Sequence, residues 1–205
     1  MSSSSMLSDL LGTAPEVAPR LLGCLLEREI EGSRLLVRIV ETEAYDQSDL
    51  ASHSYKGQTA KNQVMFESSG HLYVYFTYGM HYCCNVVVGP KGHGSAVLIR
   101  AVEPIEGEDI MSANRRGRTG VALTNGPAKL CQALVINKLL NGHDLKNQPL
   151  RLIMEEKLPT NVIEQTTRIG ISRAKDVPWR FYIRGNPYVS RGLGDLYRAG
   201  KGLLP

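Results

Sequence analysis

The sequence has no apolar run approaching the roughly 20 residues that a membrane-spanning helix needs. The opening MSSSSMLSDLLG has neither a basic segment nor a long apolar stretch, so no signal peptide is expected. Both absences favour an intracellular protein. No linker and no internal repeat divides the 205 residues, which suffice to bury one core. We therefore predict a flexible tail over residues 1–12 and a single domain over residues 13–205.

Several motifs of common chemistries are also missing. The four cysteines form no C-x-x-C pair, which argues against a disulfide framework and a zinc knuckle. The five histidines show no spacing typical of metal ligands. The phosphate-loop pattern G-x-x-x-x-G-K-[ST], the dinucleotide pattern G-x-G-x-x-G and the nucleophile elbow G-x-S-x-G do not occur. The sequence therefore predicts a protein that uses no metal and no cofactor.

Basic residues are present in a mild excess, with a net charge of +4, and they are clustered. The motif RRGR spans Arg115 to Arg118, and few acids follow Glu164. The last third of the chain adds further cations, among them Arg168, Arg173, Lys175, Arg180, Arg184, Arg191 and Arg198. A solvated basic surface would have the same composition. Nucleic acid is the favoured partner if other features agree.

Residue patterns predict a mixed α/β domain with a largely antiparallel sheet. The segment TAPE, from Thr13, has the composition of a capping box and predicts a helix start. Two hairpins are predicted, one around EGS and one over residues 71–89 that turns near Tyr78 and Gly79. A strand over residues 95–104 should end at Pro104. The segments PIEGEDIMSANRR and NGPAKLCQALVIN predict helices, and LRLIMEE, TRIGIS and WRFYIRG predict short strands.

The segment VETEAY places two acids and a phenol on one strand. Because side chains alternate between the faces of a strand, Glu41, Glu43 and Tyr45 should share a face at spacings of about 7 Å. Three interpretations are open at this point. The row is a solvated sheet edge, or it contains the acid/base pair of a carbohydrate hydrolase, or one carboxylate alone performs chemistry.

Four further residues are candidates for a site. His53 lies in a long polar loop, and loops of this length in compact domains are often functional. Tyr78, beside Gly79 at a hairpin tip, is a candidate wedge for a base stack. Asn85 interrupts an apolar strand and needs polar partners, either as a structural bridge or as a specificity contact. Arg100 closes the strand VLIR, where it reaches water, binds a carboxylate or orients a water molecule.

Five blocks, VETEAY, LYVYFTYGM, AVLIRAVEP, NGPAKLCQAL and RFYIRGNPYVS, occur in the order and with the spacing seen in the alkyladenine (3-methyladenine or methylpurine) DNA glycosylase family. The chain resembles that family from about Thr13 to Ser190. The resemblance implies a single α+β domain with a curved, mainly antiparallel sheet and flanking helices, like the C-terminal domain of formyltransferases. It also implies a β-hairpin that inserts into DNA.

The resemblance further implies a role for each matched residue. Glu43 would be the base that activates the attacking water, with Arg100 and the backbone carbonyl of Ile169 as further water ligands. Tyr45 would stack on one face of the flipped base. His53 and Tyr75 would close the other side of the pocket, Asn85 would crowd the amino group of guanine, and Tyr78 would fill the gap left in the duplex.

The function implied is that of a monofunctional glycosylase of base excision repair. Its expected substrates are alkylated purines, hypoxanthine and ethenoadenine in double-stranded DNA, and Arg115, Arg116 and Arg118 are candidate contacts to the DNA backbone. No lysine lies in the motif blocks near Glu43, so no β-lyase step is expected. We expect a monomer at the bacterial nucleoid, or in the nucleus of a eukaryote. The alternative is a non-catalytic DNA-damage-binding module of the same fold.

Overall fold

The computed structural model describes residues 8–77 and 79–190, which form one eight-stranded sheet with helices packed on it. The strands are β1 (Leu25–Ile30), β2 (Ser33–Asp46), β3 (Leu72–Thr77), β4 (His81–Val87), β5 (Ser95–Glu106), β6 (Leu150–Ile153), β7 (Ile163–Thr166) and β8 (Arg180–Ile183). The spatial order is β3-β4-β5-β2-β1-β6, with β8 against β2 and β7 against β8. These pairs are antiparallel and the sheet curls into a half-barrel. The predicted α+β class with a mainly antiparallel sheet is confirmed.

Three short α-helices flank the described sheet, α1 (Ala14–Arg20), α2 (Glu108–Asn114) and α3 (Pro127–Ala133). Helix α1 begins at the predicted capping box, where the carboxylate of Glu16 accepts hydrogen bonds from the backbone N–H and the hydroxyl of Thr13, at 2.9 and 2.8 Å. Short 3₁₀ turns lie at Gln63–Phe66, Gly120–Leu123, Lys138–Leu140 and Thr160–Val162. Among residues 8–77 and 79–190, none of the helices combines the length and the apolar composition that crossing a bilayer would need.

Strand β2 carries VETEAY and is the central element of the sheet. Its first half pairs with β1 and its second half pairs with β8, while β5 runs along its other edge. The β2–β5 register shifts on both sides of Glu41, and such irregularities re-aim side chains locally. Residues 39–44 are all buried, so the segment is not a solvated sheet edge.

Both predicted hairpins are confirmed. Strands β1 and β2 are joined by Glu31 and Gly32, which both have positive φ angles of 49° and 79°. Two central residues with positive φ match the twist of the adjoining strands, and glycine takes this conformation without steric cost. Strands β3 and β4 pair from Leu72 with Val86 to Thr77 with His81, and the turn between them includes Gly79.

One predicted strand end and one predicted strand are wrong. Strand β5 does not end at Pro104 but continues to Glu106, because Pro104 pairs with Val37 beside a register shift, where a missing N–H is tolerated. The segment TRIGIS is not a strand. The strand β7 ends at Thr166, and the following residues form a loop that bends toward VETEAY.

The buried apolar residues form two clusters. The larger one lies between the sheet and the helices and includes Leu10, whose carbonyl also accepts a hydrogen bond from Gly89 N–H, so residues just before α1 pack on the domain. The smaller cluster contains Val64, Met65, Phe66, Tyr73, Val87 and Ala96, with Tyr75 against it. This second cluster supports one wall of the cavity described next.

Candidate active site

A cavity of about 540 Å³ brings together residues that are far apart in the chain. Its lining includes six residues predicted for the site, Tyr45, His53, Tyr75, Asn85, Arg100 and Ile169. They come from β2, the loop after it, β3, β4, β5 and the loop after β7. This volume is typical of a small-molecule site.

Glu43 lies directly behind this lining, with its side chain fully buried. Its Oε2 accepts hydrogen bonds from the Tyr45 hydroxyl at 2.8 Å and from an Arg100 guanidinium nitrogen at 3.3 Å. Its Oε1 accepts the backbone N–H of Ile169 at 2.7 Å. A carboxylate has about four acceptor positions. Glu43 therefore retains room for one more donor, on the oxygen that Ile169 binds.

Glu41 has a different environment although it shares the strand. Its carboxylate accepts from Arg180 Nε at 2.6 Å, from Arg100 Nε at 3.2 Å, and from the backbone N–H and hydroxyl of Ser190 at 2.7 and 2.9 Å. Three of these donors bind Oε1 and the N–H of Ser190 binds Oε2, so this carboxylate is held by two cationic side chains and by a distant segment of the backbone. Glu41 is therefore a structural anchor, which removes the acid/base pair that a carbohydrate hydrolase would need.

Arg100 connects the two carboxylates. Burial opposes the charge of its guanidinium, but the neighbouring Glu43 and Glu41 carboxylates outweigh burial and raise its pKa. Arg100 therefore stays charged, and its contacts keep Glu43 oriented beside the cavity. Of the three roles open from the sequence, the carboxylate-binding one is observed for Arg100.

Aromatic rings form the walls of the cavity. The His53 and Tyr75 rings meet edge to face at 4.6 Å, and Tyr73 stacks on Tyr75 at 5.8 Å. Burial raises the pKa of Tyr73 to about 12. Burial, aided by the Cys83 thiol, raises the pKa of Tyr75 above its usual value of 10. These phenols are therefore neutral donors at physiological pH.

Two other wall residues have shifted pKa values. Burial, followed by the Glu43 carboxylate, raises the pKa of Tyr45 above 10 and keeps its hydroxyl protonated as a donor. The His53 ring hydrogen-bonds the Tyr73 hydroxyl at 3.0 Å, and desolvation lowers its pKa below 6.5. At neutral pH the His53 ring is uncharged, so it does not repel a cationic ligand.

Asn85 is buried in the cavity lining, where its side-chain amide nitrogen donates to the carbonyl of Tyr73 at 3.1 Å. This hydrogen bond across β3 and β4 fixes the orientation of the amide. The structural-bridge interpretation of Asn85 is therefore correct, and its presence in the lining leaves a specificity role available.

Comparison with protein-family models gives one match, to methylpurine-DNA glycosylase, over residues 8–187. The chain belongs to the methylpurine-DNA glycosylase family. The resemblance noted in the sequence is thereby confirmed. DNA glycosylases are hydrolases of N-glycosyl bonds, so the predicted enzyme class is confirmed as well.

Individual relatives agree with the family match. A protein of Carboxydothermus hydrogenoformans is 53% identical over 176 residues, which cover 85% of this chain and 92% of the relative. One from Methanoculleus marisnigri is 50% identical over 179 residues, covering 85% and 92%. One from Nitrosospira multiformis is 44% identical over 194 residues, covering 93% and 96%. All three are named as 3-methyladenine DNA glycosylases.

Two of the basic residues in the last third of this methylpurine-DNA glycosylase family member are buried. Arg168 and Arg180 are buried in ion pairs with Asp49 and Glu41, so they do not form a basic surface as their sequence positions suggested. Arg191 and Arg198 lie outside the described residues. Because Arg168 and Arg180 are buried, the described part of the last third exposes fewer cations than the composition indicated.

The RRGR motif borders a second cavity, of about 910 Å³, beside the β3–β4 hairpin residues Met80, His81 and Tyr82. The guanidinium of Arg115 donates to the carbonyls of Leu123 and Ala122 and to the side chain of Gln132. Arg115 thus braces the loop, whereas the side chains of Arg116 and Arg118 are exposed. Tyr78, the predicted wedge, lies outside the described residues.

Sequence patterns did not assign a role in the site to three residues that hold the walls of this cavity in place. Asn62 donates to the carbonyl of His53 at 2.8 Å and so fixes the backbone of a wall residue. Asp49 and Arg168 form a fully buried pair beside Tyr45. In the sequence these three residues are marked only by being polar and by lying in segments that flank the motif blocks. Many solvated loops have the same composition, so the sequence did not distinguish them.

Proposed function

We propose that this protein is a monofunctional DNA glycosylase of base excision repair. It turns a damaged purine out of duplex DNA, binds it in the tyrosine-walled cavity, and hydrolyses its N-glycosidic bond with a water activated by Glu43, leaving an abasic site. The observation that carries this proposal is a buried, arginine-oriented carboxylate behind an aromatic cavity in a member of the methylpurine-DNA glycosylase family.

The cavity suits a purine that has left the base stack. A base within a duplex is shielded, so an enzyme that acts on it must extrude it. Stacking on aromatic rings contributes about 1–3 kcal/mol per base and tolerates different bases. Tyr45 on one side and His53 with Tyr75 on the other provide such faces. A cationic alkylated purine gains further from the electron-rich face of tyrosine.

Loose stacking does not exclude normal bases, so discrimination needs a steric or polar conflict. Asn85 is the residue we assign to this conflict. Its amide is held by the Tyr73 carbonyl and cannot easily turn away from an incoming base. The 2-amino group of guanine would meet it, whereas adenine derivatives and hypoxanthine have no amino group at that position. 7-Methylguanine has this group, but its cationic ring is a better leaving group than guanine.

Hydrolysis requires one carboxylate with a free acceptor position. Glu43 has one, while Tyr45, Arg100 and Ile169 hold the rest of its carboxylate in place. The water would donate its proton to Glu43 as its oxygen bonds to the sugar carbon, while the purine leaves with the electrons of the N-glycosidic bond. A cationic alkylated purine then leaves as a neutral base, and a neutral purine takes up a proton as it leaves. In the cavity lining of the described residues there is no lysine, which fits hydrolysis without a Schiff-base step.

The β3–β4 hairpin is the element we propose to enter DNA, with Tyr78 as the wedge and the exposed side chains of Phe76 and Met80 near it. Arg116 and Arg118 would bind the phosphate backbone next to the hairpin. A monomer suffices for this arrangement. The likeness to formyltransferase C-terminal domains stays a prediction.

The decisive test is an excision assay on a panel of lesions. Duplexes containing 7-methylguanine, hypoxanthine or 1,N6-ethenoadenine, together with methylated genomic DNA, are incubated with the protein and then treated with alkali. We expect strand breaks at the lesion sites after alkali and intact strands without it. Breaks without alkali would indicate a lyase, and lesion binding without any breaks would favour the non-catalytic module.

Neutralising the exposed arginines should weaken DNA binding in a salt-dependent way. For Arg116→Gln and Arg118→Gln we expect the slope of log K against log salt to become shallower by about 1 for each phosphate that the protein no longer neutralises. The slope is measured by fluorescence anisotropy between low and physiological salt. The matched control is Arg34→Gln, which removes the same charge on the order of 35 Å from Tyr45 along β2. An equal change of slope in the control would contradict the assigned phosphate binding.

A further inference from the structure

A buried ion pair lies beside Tyr45 and is unused by the proposed chemistry. The Arg168 guanidinium binds the carboxylate of Asp49 through both terminal nitrogens, and neither side chain is more than 2% exposed. One of these nitrogens also donates to the carbonyl of Ala44 at 2.8 Å. The Arg168 Nε is buried and has no partner among the described residues.

The pair supports the base-stacking wall directly. The guanidinium carbon of Arg168 lies 4.7 Å from the centre of the Tyr45 ring and 5.3 Å from that of Trp179. The bond to the Ala44 carbonyl fixes the backbone one residue before Tyr45. Arg168 therefore contacts both the Tyr45 ring and the backbone next to it.

The same pair reaches two other parts of the site. The residue after Arg168 is Ile169, whose N–H binds Glu43 at 2.7 Å. Asp49 accepts the N–H of Ala51 at 3.0 Å, and so shapes the turn that leads to His53. One buried contact thus connects Tyr45, the carboxylate of Glu43 and the loop of the opposite wall.

We propose that Asp49 and Arg168 form a positioning pair that sets the base-holding wall and the water-holding carboxylate together. This role rests on the proposed function. The chemistry fits, because a planar guanidinium binds a carboxylate with two nitrogens, donates to a carbonyl and stacks on rings at once, which an ammonium group does not do. A pair that served packing alone would need neither the stacking of Arg168 on the Tyr45 ring nor its hydrogen bond to the Ala44 carbonyl.

The test separates position from stability. Arg168→Lys keeps a charge beside Asp49 but loses the planar stack, whereas Arg168→Met and Asp49→Asn break the pair. Single-turnover excision, measured with the active fraction determined by titration, gives the rate constant of correctly folded molecules. We expect that rate constant to fall about 10- to 100-fold in all three variants, since small misplacements of reacting groups have effects of this size.

Two comparisons identify the cause. In Arg168→Lys the melting temperature should recover toward that of wild type while the rate constant does not. In a Tyr45→Leu background, Arg168→Met should cost less than it does alone, because one of the two groups that the pair positions is gone. The control is Arg184→Met, which breaks an exposed ion pair with Glu164 of β7 and should leave the rate constant unchanged.

The outcomes distinguish this proposal from the proposed function. If wild-type protein excises lesions but the folded Arg168 and Asp49 variants do so at the wild-type rate constant, the positioning role is refuted and the glycosylase stands. Rate losses in Arg168→Met that are equally large with and without Tyr45 also refute it. If wild-type protein excises nothing, the proposed function falls, and this role falls with it.

Discussion

Glu43→Gln should abolish excision while lesion binding persists. A general base contributes about 10²- to 10⁴-fold, and the amide of glutamine cannot take a proton from water at neutral pH. The stacking walls are unchanged, so the lesion should still enter the cavity. We expect a loss of at least about 10²-fold in the single-turnover rate constant on hypoxanthine and 7-methylguanine duplexes.

The substitution needs one structural check. Both oxygens of Glu43 accept hydrogen bonds, so the new NH₂ group faces either the Ile169 N–H or the donors from Tyr45 and Arg100. Some loss of stability is therefore expected, and a thermal melt must accompany the kinetics. Undiminished excision by a folded Glu43→Gln protein would remove Glu43 as the base. Loss of binding together with excision would indicate a disturbed cavity instead.

Glu41→Gln should have the opposite profile, with a large loss of stability and a smaller loss of rate. The fully buried carboxylate binds Arg180, Arg100 and Ser190. Breaking a buried ion pair by removing one partner costs about 3–5 kcal/mol. In a domain of this size that corresponds to a drop in melting temperature on the order of 10 °C.

The two variants are matched controls for each other, because they make the same chemical change two residues apart on β2. The folded fraction of Glu41→Gln should retain much of its rate constant, since Arg100 still binds Glu43. A rate loss as large as that of Glu43→Gln would show that Glu41 takes part in chemistry. An unchanged melting temperature would show that its four hydrogen bonds do not anchor the fold. The Glu43 variant tests the proposed base, and the Glu41 variant tests whether the carboxylate of Glu41 stabilises the fold.

The buried charges around the cavity are balanced in number. Glu41, Glu43 and Asp49 are three buried carboxylates, and Arg100, Arg168 and Arg180 are the three guanidinium groups that bind them. Buried charges persist only where they are paired and hydrogen-bonded. With this balance, neither sign of charge dominates beside the cavity.

Local sequence patterns were sufficient for the elements that depend on neighbouring residues. The capping box at Thr13, the turn at Glu31 and Gly32 and the aromatic hairpin β3–β4 all involve residues a few positions apart. The family resemblance also named six residues that line one cavity. The errors arose where distant parts of the chain overrode the local preference. At Pro104 this was pairing with β2, and in TRIGIS it was the binding of Arg168 to Asp49 and of Ile169 to Glu43.

The sequence by itself determined that two carboxylates and a phenol share one face of β2, because alternation along a strand is a local property. Only the tertiary structure decided which donors each carboxylate receives. Ser190 reaches Glu41 from 149 residues away, and Ile169 reaches Glu43 from 126 residues away. No local pattern encodes which distant donor arrives at which oxygen. VETEAY therefore contains one anchor and one candidate base because two loops from the last third of the chain fold back onto it.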